Sequence, residues 1–202
     1  MTTLRMFPLG TVLMPGALMP LRVFEDRYQQ LLDEVIEAAE PFGIVLIERG
    51  FEVGGGDQRF AIGTEAHLVG VGDLEDGHRG IVIRGGRRFR VAEWLADDPY
   101  PRAEVEFLDE PAGFMPDVDG AEAAIRQSHA LMSELGHDLG LDEIEVPDDP
   151  VVASWLLASL CPVGPLDAQE ILASEDASVR LQLIRELADD QSALCRMRLG
   201  GG

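Results

Sequence analysis

The sequence predicts an α+β protein with a β-rich first half and a helical second half. Between residues 60 and 107, apolar and polar residues alternate with the period of two that is typical of half-buried strands. From residue 121 onward, apolar residues recur every three or four positions, as in amphipathic helices. A connector rich in Pro, Gly and Asp lies between the halves. We therefore expect one domain over residues 1–112 and a second over residues 118–199.

The first two strands are predicted in an uncharged run between Arg5 and Arg22. An apolar run near the start of a chain resembles the core of a signal peptide. Five residues interrupt any helix that could insert in a membrane, and they are Pro8, Gly10, Pro15, Gly16 and Pro20. We therefore expect two short buried strands, at 5–9 and 18–23, with a loop between them.

An amphipathic helix is predicted at 25–39, and Pro41 ends it. Its apolar residues lie three or four positions apart, and they are Tyr28, Leu31, Leu32, Val35, Ile36 and Ala39. At the start of this helix we expect Arg27 to pair with a carboxylate and Tyr28 to pack beneath the sheet.

Further strands are predicted at 43–48, 60–74, 80–83, 84–91 and 102–110. The first is a continuous apolar run, and the others alternate. In the second, Gly63 and Gly70 are expected to form bulges. In the last, Ala103, Val105 and Phe107 share one face.

Glycines separate several of these strands. Gly85 and Gly86 are expected to kink the chain between two strands. Beyond them, Phe89 and Val91 share one face while Arg88 and Arg90 share the other. Earlier in the chain, a glycine-rich stretch lacks the spacing, the basic residue and the following helix of a phosphate-binding loop. We therefore expect a hairpin loop there, at Gly54, Gly55, Gly56 and Asp57.

Four helices are predicted in the second half. The first covers 121–139, and the second begins with Asp149 as N-cap and Pro150 at its first position. The core face of this second helix is expected to contain Val152, Trp155, Leu156 and Leu160. A short helix with a capping box at 167–170 follows. The last helix covers 176–198, with an apolar face of Val179, Leu183, Ile184, Leu187, Gln191 and Leu194.

The net charge of the chain is −21, from 16 basic and 37 acidic residues. Such a surface repels phosphate backbones and anionic lipid, so nucleic acid and membranes are disfavoured as partners. With neither a signal peptide nor a transmembrane helix in the pattern, we expect a cytoplasmic protein. Cys161 and Cys195 are then expected to be buried free thiols.

All 16 basic residues are arginine, and the chain contains no lysine. The phosphate-binding loop of an ATPase, a serine–lysine protease dyad and a Schiff-base enzyme each require a lysine. The sequence therefore excludes these three chemistries. The four histidines lack the spacing of a zinc site. We expect no metal, no cofactor, no catalytic residue and no enzymatic activity.

Several motifs in the first half match a known family in residue type and spacing. They are Phe-Pro-Leu-Gly at 7–10, Pro-Gly at 15–16, Pro-Leu at 20–21 and Phe-Glu-Asp-Arg-Tyr at 24–28. This opening resembles the N-terminal domain of Lon proteases, also called the substrate-binding domain. Later segments, among them Ile62-Gly63-Thr64 and Asp98-Pro99-Tyr100, extend the resemblance to about residue 110.

The resemblance implies a twisted β pseudo-barrel of the PUA-like type that carries one helix, followed by a C-terminal helical bundle. Lon proteases continue into an ATPase domain and a protease domain, whereas this sequence ends at the bundle. The resemblance therefore implies a standalone bacterial form that recognises polypeptide and does not cleave it. Its expected partners are unfolded polypeptides or a partner protein, and a separate protease.

The candidate polypeptide-binding residues are Met14, Met19, Phe24, Arg88, Arg90 and Trp94. The methionines and aromatic residues offer an adaptable apolar surface. Met14 is expected to be exposed because it adjoins a Pro-Gly loop. A position in the core is the favoured interpretation of Phe24 and Leu18.

Two alternatives to polypeptide binding remain open. Arg84, Arg87, Arg88 and Arg90 form a basic island, and some relatives of the PUA-like fold bind RNA. The competing interpretation of this island is that neighbouring carboxylates pair with the arginines on a strand face. The second alternative is a peptidase, which the family name suggests and the absence of lysine opposes.

Overall fold

The computed structural model describes residues 1–49, 58–74, 77–111, 116–137 and 144–200. The chain forms two compact units, Met1–Asp109 and Glu110–Gly202. Among the described residues, the first unit contains six strands and one helix, and the second contains four helices. The predicted α+β class is therefore confirmed.

The first unit is built on one sheet that curves back on itself. Its strands are β1 (Thr2–Leu9), β2 (Leu18–Val23), β3 (Phe42–Arg49), β4 (Gln58–Asp73), β5 (Arg79–Trp94) and β6 (Arg102–Phe107). They lie in the order β2-β5-β4-β3-β1-β6, and β6 also pairs with β5. This second pairing closes a ring of five strands, in agreement with the pseudo-barrel that the resemblance implies.

β2 lies beside this ring and is not part of it. β2 and β6 pair with different parts of the same edge of β5, β2 with residues 79–84 and β6 with residues 89–94. β6 also pairs with residues 2–5 of β1. In the described part of the chain, the rest of β1 pairs with β3 alone. A gap therefore separates the end of β1 from β2.

Helix α1 (Asp26–Ala38) packs its apolar face against the sheet. Tyr28, Leu31, Leu32 and Val35 are buried, and the Tyr28 ring stacks on Phe7 with ring centroids 4.2 Å apart. The predicted ion pair of Arg27 is also confirmed, because its Nε lies 3.0 Å from Glu25 Oε2. Ile36 was predicted on the buried face but is exposed, because the last turn of α1 extends past the core.

β5 is one continuous strand, so the predicted break at Gly85 and Gly86 is wrong. Gly85 instead allows close packing with the loop before β2. A Cβ atom at this position would lie 2.1 Å from the backbone oxygen of Met14. The Gly85 N–H donates to the Ala17 carbonyl at 2.9 Å, and the Gly85 carbonyl accepts from Gly16 N at 2.8 Å. Because glycine has no side chain, the loop can lie directly on β5, and these two hydrogen bonds hold it there.

Bulges shift the register of β4 and β5. The register of the β4–β5 pairing shifts between Leu68 and Gly70 of β4. This shift confirms the predicted bulge at Gly70. The predicted glycine-rich hairpin at Gly54, Gly55, Gly56 and Asp57 lies outside the described residues.

The second unit contains α2 (Val118–Glu134), α3 (Pro150–Leu160), α4 (Pro165–Ala173) and α5 (Ala177–Gly200). The predicted start of α3 is confirmed. The Asp149 carboxylate accepts hydrogen bonds from the N–H groups of Val151 and Val152, at 2.9 and 3.1 Å. Pro150 occupies the first turn, where its missing N–H has no consequence.

Three predictions in this unit are wrong. Val152 is exposed, and α3 buries Ala153 and Leu157 together with Trp155. The capping box is absent, since α4 begins after Gly164 without a side-chain cap and Asp167 lies in its first turn. The buried stripe of α5 shares only Ile184 with the prediction and consists of Ala177, Arg180, Leu181, Ile184, Ala188, Ser192 and Cys195.

The stripe of α5 is shifted because Arg180, a charged residue, lies fully inside the unit. A pattern based on hydrophobicity assigns arginine to the surface and so rotates the predicted face. The two cysteines are buried free thiols, as predicted. Burial raises the pKa of the Cys161 thiol to about 12, so this thiol stays protonated at neutral pH. In the described ranges, no helix combines the length and apolar character that a membrane crossing requires.

Candidate functional site

The gap between the end of β1 and β2 leaves the outer edge of β2 open. The Ala17 carbonyl accepts from Gly85 N, so the backbone groups of Ala17 point towards β5. The backbone direction alternates along a strand, and the backbone groups of Leu18 and Pro20 therefore point away from β5. β5 is the one strand that pairs with β2 in the described part of the chain. Pro20, which has no N–H to donate, is placed as proline is on an edge strand.

A groove lies between this edge, the end of β1 and the start of α1, and we call it the β2 groove. Its volume is about 240 Å³. It is lined by Phe7, Leu9, Thr11, Pro20, Leu21, Arg22, Val23, Phe24, Glu25 and Tyr28. Most of these side chains are apolar, so the groove is suited to apolar side chains from another chain.

Two exposed apolar residues lie on β2 and directly after it, and the second of them lines the groove. The Phe24 side chain is 47% exposed, and Leu18 on the same strand edge is 56% exposed. The prediction that both belong to the core is therefore wrong. Phe24 lies between the end of β2 and the N-cap of α1, and its ring lies 6.0 Å from that of His78, centroid to centroid.

The charged groups at the groove are held by one another. Arg22 donates from Nη2 to Nδ1 of His78 at 2.8 Å. Glu25 lies 3.0 Å from Arg27, whose guanidinium also covers the Tyr28 ring at 4.5 Å. Arg22 and Glu25, which line the groove, are thus both engaged by neighbouring side chains of the same unit.

The six predicted binding residues are not brought together. Only Phe24 lines the groove. Met19 is partly buried against the core. Trp94 lies under the Arg59 guanidinium at 4.8 Å, on the part of β5 that pairs with β6. Sequence reasoning missed Leu21 and Arg22, although the proline between apolar residues at position 20 already indicated an edge strand.

Two of the six are buried. Met14 is 4% exposed, so its predicted exposure is wrong, because the contact of its loop with Gly85 turns the side chain into the core. Arg88 is also 4% exposed and does not share the solvent-facing surface of Arg90. β5 is an inner strand at this point, since it pairs with β4 through Thr64 and its Arg88 carbonyl accepts from Leu108 N.

The arginine island is not a continuous basic surface. Arg87 lies 3.3 Å from the buried carboxylate of Glu65 and stacks over Phe107 at 3.6 Å. Burial opposes ionisation of Glu65, but the hydrogen bonds from Arg87 outweigh it and lower the pKa of that carboxyl. Arg84 and Arg90 remain exposed. The predicted pairing with a carboxylate therefore holds for Arg87. Arg88 is buried and so does not contribute to a basic surface.

A second polar cluster holds α1 to the sheet. The Tyr100 hydroxyl donates to Glu34, and Arg5 Nε donates to the same carboxylate at 3.1 Å. These bonds, the one from Tyr100 first, lower the pKa of the Glu34 carboxyl. Within the described ranges, no group of three or more His, Cys, Asp or Glu side chains is arranged to hold a metal ion.

Comparison with known proteins identifies the family of this chain. The model described as "ATP-dependent protease La (LON) substrate-binding domain" matches residues 3–190. Lon protease 2 of Sorangium cellulosum is 27% identical over 201 residues, which cover 94% of this chain and 24% of the relative. Lon protease of Roseiflexus castenholzii is 28% identical over 182 residues, which cover 87% of this chain and 22% of the relative. The chain thus spans about a quarter of the length of these curated relatives.

Solved structures agree with the fold. A Lon N-terminal domain protein from Xanthomonas campestris aligns with a TM-score of 0.66 and 28% identity, over 90% of this chain and 96% of that one. The N-terminal domain of a Mycobacterium avium complex Lon protease aligns with a TM-score of 0.68, over 94% and 99% of the two chains. Its 17% identity supports the fold alone.

Proposed function

The chain belongs to the family of Lon substrate-binding domains, and on that premise we propose that it binds extended polypeptide segments without cleaving them. The observation that carries this proposal is the open outer edge of β2 beside an apolar groove. The edge offers backbone hydrogen bonds, and the groove offers apolar contacts.

Backbone pairing selects an extended segment. A bound chain adds to β2 as a further strand and occupies the gap between β2 and β1. Such hydrogen bonds are independent of side-chain identity, which suits a protein that binds many unfolded segments. Leu18 and Pro20 present their backbone groups to this strand.

Apolar contacts supply the rest of the affinity. In an added strand, every second side chain points into the groove, where Phe7, Leu21 and Phe24 provide apolar surface. Burial of a Leu or Phe side chain stabilises by about 1.5–3 kcal/mol. Since Phe24 and Leu18 are about half exposed, binding of a client covers the remaining part of each.

We assign no catalytic step to the chain. Without lysine, it cannot provide the serine–lysine dyad or the phosphate-binding lysine of an ATP-driven protease. In this proposal a separate protease degrades what the chain binds. Incubation of the protein with casein should leave casein intact, and its cleavage by the purified protein would contradict the proposal.

The binding site is tested with two substitutions on exposed residues, Leu18→Ser and Phe24→Ser. The probe is reduced, alkylated lysozyme, a permanently unfolded chain, labelled with fluorescein and followed by anisotropy. Each substitution should weaken binding about fivefold, because about 1 kcal/mol of apolar burial is lost. The matched control is Val69→Ser, an exposed valine that does not line the groove.

A second probe tests the strand pairing. An apolar peptide that binds the protein should lose its affinity when alternate backbone nitrogens are methylated, because methylation removes the donors of one strand edge. Equal binding of the two peptides, or equal affinity of Phe24→Ser and Val69→Ser for the unfolded chain, would overturn the assignment to the β2 groove.

A further inference from the structure

A second groove lies at the C-terminal end of α1, and we call it the α1-end groove. It has a volume of about 320 Å³ and shares no lining residue with the β2 groove. Ile36, Pro41, Leu68 and Val71 form its apolar surface. β3 begins at Phe42, which pairs with Ala66, so β4 runs on beyond its partner and α1 covers this extension only in part.

The apolar surface of this groove is exposed to solvent. Ile36 is 44% exposed and Val71 is 50% exposed. Ile36 on α1 and Val71 on β4 are both β-branched and about half exposed, so the groove offers apolar surface to another side chain.

The rim of the groove is acidic. Arg5 donates to both Glu34 and Glu40, at 3.1 and 2.9 Å, so one cation faces two carboxylates. Glu37 is exposed on the same turn of α1 and adds a third carboxylate. Glu40 is the one of these carboxylates that lines the groove. Glu37, Glu40 and the Arg5 guanidinium together carry a formal charge of minus one. His67 also lines the groove, and its Nε2 lies 3.3 Å from Glu65.

The end of the helix adds to this potential. The C-terminal end of a helix carries partial negative charge from its carbonyl groups. The last turn of α1 contains no basic residue to offset it. The helix ends at Ala38, and the next residue, Ala39, caps it in a left-handed conformation with its N–H directed to the Ile36 carbonyl.

We propose that the α1-end groove binds a cationic apolar segment of another polypeptide, with an apolar side chain in the cleft and an adjacent Arg or Lys at Glu37 and Glu40. Charge complementarity selects this occupant over a neutral or acidic one. The net charge of −21 acts in the same direction, since it attracts basic segments from a distance. This surface is separate from the β2 groove and does not depend on the function proposed for it.

The test uses a short fluorescein-labelled peptide with Leu-Arg pairs separated by Gly and Ser, and a matched peptide with Leu-Glu pairs. Binding to the full chain is measured by anisotropy. The Leu-Arg peptide should bind, and its affinity should fall as salt is raised from about 0.05 to about 0.15 M. The Leu-Glu peptide should bind at least tenfold more weakly.

Two variants locate the site. Glu37→Lys should weaken binding of the Leu-Arg peptide at least fivefold, because it replaces an attractive rim charge by a repulsive one. Its control is Glu93→Lys, which makes the same charge change on an exposed residue of β5 outside the groove. Val71→Ser should weaken binding about fivefold, while Val69→Ser on the same strand should leave it within twofold.

The outcomes separate this proposal from the proposed function. Equal losses in Glu37→Lys and Glu93→Lys would mean a diffuse charge effect and would overturn the α1-end site. A loss in Phe24→Ser without a loss in Val71→Ser would place the peptide in the β2 groove. That result would overturn the inference made here while supporting the function proposed for the β2 groove.

Discussion

Arg180 has the largest fully buried side chain among the described residues. It is fully buried, and its guanidinium stacks on the Trp155 ring at 3.3 Å. Nε donates to Ser154 Oγ at 2.9 Å, and Nη2 donates to the Glu110 carboxylate. The planar guanidinium makes the stacking and the forked hydrogen bonds at the same time, which a lysine ammonium cannot do.

Loss of the Glu110 carboxylate should therefore destabilise the unit strongly. We expect Glu110→Ala to lower the free energy of unfolding by about 3 kcal/mol, because it leaves a buried cation without its counter-charge. The measurement is urea unfolding followed by circular dichroism.

The control for this prediction is Arg185→Ala. Arg185 pairs with Asp117 at 3.1 Å, and both side chains are more than half exposed. Its loss should cost less than about 1 kcal/mol. Similar effects of the two substitutions would contradict a special role for the buried pair.

At the scale of the elements, the loop before β2 and strand β5 fix the edge that the proposed function needs. Gly85 lets residues 14–17 lie directly on β5, and this contact buries Met14 and sets the start of β2. The start of β2, where Leu18 pairs with Arg84, thus depends on a glycine far away in sequence. The order of strands then leaves the outer side of β2 open.

We expect Gly85→Ala to destabilise the first unit by about 2 kcal/mol, because the new Cβ would overlap the backbone of Met14 and the loop must move. The same variant should bind the unfolded lysozyme probe more weakly. Thermal unfolding and anisotropy measure the two effects.

Gly70→Ala provides the comparison. A Cβ atom at Gly70 would have no neighbour within 4 Å, so we expect no loss of stability there. If Gly85→Ala were as stable as Gly70→Ala, the close approach of the loop to β5 would not be the determinant of the edge.

At the scale of the whole molecule, charge is the dominant feature. The net charge of −21 is produced by 37 acidic residues against 16 arginines. Self-repulsion of this size destabilises the compact state at low ionic strength, while buried pairs such as Arg180 and Glu110 are screened little by salt. The domain bounds predicted at 1–112 and 118–199 remain a prediction.

Added salt should consequently stabilise the protein. We expect the Tm to rise by about 2–5 °C between about 0.01 and 0.3 M NaCl at neutral pH, as the Debye length falls from about 30 Å to below about 8 Å. The control is sucrose at the same osmolality, which is excluded from the protein surface but does not screen charge. A rise in Tm that is larger in NaCl than in sucrose is therefore due to charge screening. A fall in Tm on addition of NaCl would show that attractive surface pairs outweigh the repulsion.

The sequence by itself determined the type and order of the elements. The period of two in β4 to β6, the period of the helices and the cap at Asp149 are local signals that the neighbouring residues alone specify. The family motifs at 7–28 are local in the same sense, and the family was recognised from them.

Only the tertiary structure decided which residues are available to a partner. Met14 and Arg88 are buried while Phe24 and Leu18 are exposed, each against the expectation from the sequence. Burial depends on what packs against a side chain from distant parts of the chain, such as Gly85 against residue 14, and periodicity carries no such information. The open edge of β2 is likewise a property of strand order, which no single strand encodes.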